Sequence, residues 1–123
     1  MTASNVELAR RGFEAVLNGD LDAVRDFLDP YVSWHGGDPS ADGACDGREE
    51  ALEFMRRARS RRHIGELIDV VDAGDQVVVI MRAFSDDGEP VALSANLTTF
   101  RDGRAIEMVH YPNAEDALAA AGV

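Results

Sequence analysis

The sequence predicts an α+β fold, with three N-terminal helices against one side of a curved antiparallel sheet and a pocket between the two layers. Three observations carry this. Apolar residues recur at three- and four-residue spacing through most of the first half of the chain. The second half is rich in β-branched residues and broken by turn signals at Ala73-Gly74-Asp75, Asp86-Asp87-Gly88-Glu89-Pro90 and Asp102-Gly103. The chain has 123 residues, of which 46% are hydrophobic, enough for one domain over 1–123 with a buried core.

Each element follows from local chemistry. Ser4 and Glu7 fit a capping box, and Ala9, Phe13, Val16 and Leu17 then share a helical face. Asn18-Gly19 stops that helix, because both residues tolerate the left-handed conformation. Asp20 caps a shorter helix with Leu21, Val24, Phe27 and Leu28 inward, ended by Pro30. Tyr31 to His35 reads as a strand, and Gly36 to Gly47 as a loop. Asp46 and Glu49 suggest a second capping signature. Ala51, Phe54, Met55 and Ala58 give helical spacing through about Arg62. His63 to Val71 is a strand. Val77 to Phe84 is so continuously apolar that it should be covered on both faces. Val91 to Phe100 and Ala105 to Tyr111 pair through Asp102-Gly103, whose residues both accept positive φ. Asn113 caps a last helix over 114–120.

Composition excludes several functions. The formal net charge is −11, whereas nucleic acid and anionic membranes both select basic faces. All twelve basic residues are arginine. No apolar run approaches the roughly 20 residues that span a bilayer, and the N-terminus has no signal-peptide pattern; a cytoplasmic protein is expected. Cys45, the one cysteine, reads as an inert loop thiol with no neighbouring cation to activate it. Phosphate loops, serine-hydrolase elbows and zincin helices are missing, so no cofactor is expected. His35 near Asp38 matches no zinc spacing, and no metal is expected either.

Four segments together point to a family. They are Phe13 to Asp22 (FEAVLNGDLD), Val32 to Gly36 (VSWHG), Gly47-Arg48-Glu49, and Phe100 to Glu107 (FRDGRAIE). The chain resembles the nuclear transport factor 2-like superfamily, in particular SnoaL-like small proteins, over nearly its whole length. The resemblance implies a cone-shaped sheet wrapped around the three helices, and a homodimer through the open sheet face, for which Leu93, Ala95 and Leu97 offer apolar surface. It also locates site positions. The three steroid-isomerase roles of the superfamily fall on Phe13, Trp34 and Asn96, of which Asn96 alone keeps a polar group. The acid/base position of SnoaL-type cyclases falls on His110, and the helper position on Asn96. Epoxide hydrolases of the superfamily need carboxylates around an arginine; Arg82 has no convincing pair.

Two readings follow. In the first, a small and largely apolar molecule fills the pocket, walled by Phe13, Trp34, Phe54, Met55, Met81 and Met108. The protein is then a cofactor-independent isomerase or cyclase acting next to a carbonyl. Strand alternation places Ile106, Met108 and His110 on one face; a desolvated imidazole there is a base at neutral pH, and Asn96 binds the substrate oxygen. In the second, the same fold is a non-catalytic binding or dimerisation module. Arg82 is expected to pair with an acidic residue across the sheet or across a dimer interface. The arginines between Arg56 and Arg62 are expected to complement the negative end of their helix.

Overall fold

A computed structural model describes residues 4–36, 44–60, 66–84 and 90–123. Its elements are α1 (Asn5–Asn18), α2 (Leu21–Phe27), β1 (Leu28–His35), β2 (Cys45–Asp46), α3 (Arg48–Ser60), β3 (Glu66–Ala73), β4 (Gln76–Phe84), β5 (Pro90–Arg101), β6 (Arg104–Tyr111) and α4 (Ala114–Ala121). The six strands form one open sheet in the order β2-β1-β6-β5-β4-β3. It is the expected α+β cone, with one amendment: β1 runs parallel to β6, so the sheet is mixed.

The helix starts are set by side chains that accept orphan backbone N–H groups. The Glu7 N–H donates to Ser4 Oγ at 3.2 Å, and the Ala23 N–H donates to Asp20 Oδ1 at 3.2 Å. The capping role expected of Asp46 is not seen, because Asp46 lies in β2 opposite Ser33. Cys45 likewise belongs to β2, opposite Trp34, rather than to a loop. Burial pushes its thiol pKa up, with Glu50 adding to the effect, which keeps the sulfur protonated and inert.

The buried stripe of α1 is Ala9, Gly12 and Val16. Leu17, expected inward, is 37% exposed because it sits at the edge of that stripe. Gly12 is there for space: a Cβ at this position would lie 3.1 Å from the Phe27 ring. Pro30 was expected to end a helix, yet β1 runs through it. The ladder to β6 is interrupted between Leu28 and Ser33, where Pro30 has no N–H to give and the Tyr31 N–H turns to Asp29 Oδ1 instead. The Asp102-Gly103 turn has the expected positive φ at both residues, 53° and 79°.

The sheet buries both faces. On the inner face, Val77 and Val79 of β4, Phe100 and Met108 pack under the helices. On the outer face, Val78, Ile80, Ala95, Leu97 and Val109 pack under Ala114 and Ala117 of α4. The apolar run of β4 is therefore explained: alternate residues feed two cores. Ala95 and Leu97, named above as dimer surface, are already covered by the chain's own last helix. Arg82 is half-buried and stands opposite Glu66 in the β3–β4 register. On α3, Glu53 pairs with both Arg56 and Arg57, so these arginines serve intrahelical pairs spaced by three and four residues. Asp38, the Asp86–Pro90 turn up to residue 89, and Arg61 to Ile64 lie outside the described residues. No described helix is long and apolar enough to cross a membrane.

Candidate ligand-binding site

A cavity of about 90 Å³ lies between the helices and the inner face of the sheet. Its walls come from every layer. Helix α1 gives Ala9, Gly12, Phe13 and Val16; α2 gives Val24 and Phe27; α3 gives Met55. The sheet gives Trp34, Val79, Met81, Asn96, Thr98 and Met108. The register explains this set. Val79 stands opposite Asn96, Met81 opposite Ser94, and Thr98 opposite Met108. Cross-strand partners point to the same face, so consecutive rows of the sheet deliver their side chains to one floor.

The wall is apolar except at Asn96 and Thr98, and none of the described lining residues is ionisable. Asn96 is 7% exposed and Thr98 is 3% exposed. The Thr98 hydroxyl donates to Asn96 Oδ1 at 2.9 Å. Such a bond is needed, since a buried amide left wholly unpaired costs roughly 1–3 kcal/mol. Trp34 is held edge-on to Phe54, with ring centroids 4.6 Å apart at 71°. Phe27 meets Phe100 in the same way at 5.5 Å and 75°. These contacts fix the aromatic walls in place.

Of the residues expected to form the pocket, Phe13, Trp34, Met55, Met81, Met108 and Asn96 are brought together. Phe54 is not on the wall: it is 43% exposed and backs Trp34. His110 requires the larger correction. It stands opposite Asn96 in the β5–β6 register, yet its ring is exposed and lies outside the cavity lining. Two residues of strand beyond Met108, about 7 Å at the usual rise, carry it from the wall to the rim. Partial desolvation there still pushes its pKa down, favouring the neutral ring. Ile106 does not share the alternation expected of it. Glu107 pairs with Thr99 but Ala105 with Phe100, so Ile106 is the extra residue of a bulge.

His35 is buried on the outer side, with Nε2 3.4 Å from Glu107 Oε2. It faces away from the cavity that its neighbour Trp34 lines. Beyond the expected residues the wall also holds Ala9, Gly12, Val16, Val24, Phe27, Val79 and Thr98. Strand alternation puts Thr98 on the Asn96 face; Gly12 carries no side-chain signal at all.

The comparisons with known proteins agree with this architecture. Residues 9–108 match the model of the SnoaL-like domain, and the chain belongs to that family. Bal32a, from a soil-derived mobile gene cassette, is similar at 25% identity and a TM-score of 0.73, over 87% of each chain. A putative polyketide cyclase from Sinorhizobium meliloti is similar in fold at 20% identity and a TM-score of 0.69, over 85% of this chain and 93% of that one. TerC, co-crystallised with polyporic acid, is similar in fold at 20% identity and a TM-score of 0.67, over 97% of this chain and 98% of the other. No curated protein matches by sequence.

Proposed function

We propose that this SnoaL-like protein binds a small, largely apolar molecule in the inner-face cavity, with the Asn96 amide as the polar contact inside. The observation that carries this reading is the wall itself: aromatic, methionine and valine side chains close around a cavity whose polar groups are Asn96 and Thr98. Ligand sites commonly combine a mostly apolar lining with a few placed polar groups. The methionines add walls that adapt to shape. Two structures of the same fold, the putative polyketide cyclase and TerC with polyporic acid, support a fold suited to organic ligands.

Proton transfer inside the cavity has less support. Its candidate base, His110, is exposed at the rim, and no described wall residue can take or give a proton near neutral pH. Binding therefore stands ahead of isomerase or cyclase chemistry. The test is a thermal melt with 2-butanone, a ketone small enough for a cavity of about 90 Å³, at tens of millimolar. The wild type should gain several degrees, because a ligand that binds only the native state stabilises it. Met81 is half-buried, so Met81→Trp can fill the cavity from its edge; that variant should fold and gain nothing. The reading is overturned if 2-butanone leaves the wild-type melt unmoved, or shifts wild type and Met81→Trp equally.

A further inference from the structure

We infer that Thr98 sets the polarity of the cavity, so that it accepts uncharged molecules carrying a hydrogen-bond acceptor, such as a ketone oxygen, at the Asn96 end. This rests on the cavity reading above and goes beyond it, since it assigns Thr98 as a positioning residue and names a ligand class. An asparagine amide offers one acceptor oxygen and two N–H donors. Here the acceptor end is engaged: the Thr98 hydroxyl donates to Asn96 Oδ1 at 2.9 Å, two residues along the same inner face of β5. Both side chains are buried and both line the cavity. Among the described residues no other group bonds the Asn96 side chain, so its N–H donors are left for a guest.

The other features of the wall narrow the class. A guest group that only donates would find acceptor lone pairs on the Thr98 hydroxyl and on the oxygen Thr98 already engages, and would leave both amide N–H groups unmet. A carboxylate or ammonium would be buried with no opposite charge among the described wall residues, which is strongly unfavourable. A ketone, ester or quinone oxygen satisfies the free N–H groups and leaves the hydrocarbon body against Trp34, Phe13 and the methionines. Removing the Thr98 hydroxyl would free the amide to turn, and the wall would lose its fixed donor. Serine at that position would keep it.

The experiment uses two probes of nearly equal shape, 2-butanone and 2-methyl-1-butene, in which a CH₂ replaces the oxygen; both are small enough for a cavity of about 90 Å³. Each is titrated into the full chain as wild type, Asn96→Leu, Thr98→Val and Thr98→Ser, with circular dichroism confirming the fold. The carbonyl stretch of bound 2-butanone is recorded by infrared spectroscopy. In the wild type and Thr98→Ser the stretch should fall below its value in hexane. In Asn96→Leu that shift should vanish, and 2-butanone affinity should drop about fivefold, as expected for one hydrogen bond. In Thr98→Val the shift should shrink, while 2-methyl-1-butene binding holds in every variant. An unshifted carbonyl in the wild type, with 2-methyl-1-butene still bound, overturns this inference and leaves the cavity reading standing. Wild-type shift and affinity retained in Thr98→Val overturns the role of Thr98. If neither probe binds, the cavity reading falls and takes the inference with it. Should Thr98→Val fail to fold, Thr98→Cys, which also removes the hydroxyl, takes its place with the same expected and overturning results.

Discussion

Asn96 and Thr98 are neighbours on one strand face, and each depends on the other. The Thr98 hydroxyl has the Asn96 carbonyl as its acceptor, inside a wall that is otherwise hydrocarbon. Thr98→Val should therefore destabilise the protein by roughly 1–3 kcal/mol, because it orphans a buried oxygen. Urea denaturation checks this through a lower midpoint at unchanged slope. His110 gives a prediction in pH. Its pKa in the folded chain lies below the ordinary value of about 6.5. As pH falls through that ordinary value, the unfolded chain binds the proton first, and stability declines until the folded ring is protonated as well. Between pH 8 and pH 5 the wild type should lose more stability than His110→Gln, and above pH 7 the ring's titration should contribute nothing to the difference. The same His110→Gln change should leave probe affinity within about twofold, since the ring is off the wall. Asn96 was legible in the sequence through the family resemblance, which located a site position on it. The exposure of His110 was not: alternation gives the face of a strand but not where the covering helices stop.

The helices show what capping and spacing can settle. Asp20 holds the first turn of α2, and α2 supplies Val24 and Phe27 to the cavity. Asp20→Ala should cost about 1 kcal/mol, read as a lower melting temperature. Gly12→Ala should be tolerated only if the Phe27 ring gives way, because the new methyl would lie 3.1 Å from it. The strand boundaries came through where turn chemistry was strong, as at Asp102-Gly103. They blurred at Pro30, where the residue reads as a helix stop. In the fold it marks a gap in the β1–β6 ladder instead. The bulge at Ile106 was equally silent, since register shifts are set by pairing between strands rather than by local pattern. The parallel run of β1 beside β6 was invisible for the same reason: nothing within either segment encodes its neighbour.

At the scale of the molecule, the sheet separates two cores. The inner one encloses the cavity, and the outer one is sealed by α4. The family membership agreed with the sequence reading, whereas the covering of Ala95 and Leu97 by α4 did not follow from composition. A chain ending at Pro112 should expose Val78, Ile80, Ala95 and Leu97, and self-associate, seen as an earlier peak in size-exclusion chromatography than its mass predicts. The full chain carries one tryptophan, and Trp34 lies on the cavity wall. Its emission is therefore a direct gauge of occupancy. Titration with 2-butanone should change Trp34 emission along a saturating curve with one site per chain, and Met81→Trp should show no saturable heat of binding by calorimetry. A linear, unsaturable response in the wild type, matching that of free tryptophan with the same ketone, would contradict a ligand held in this cavity.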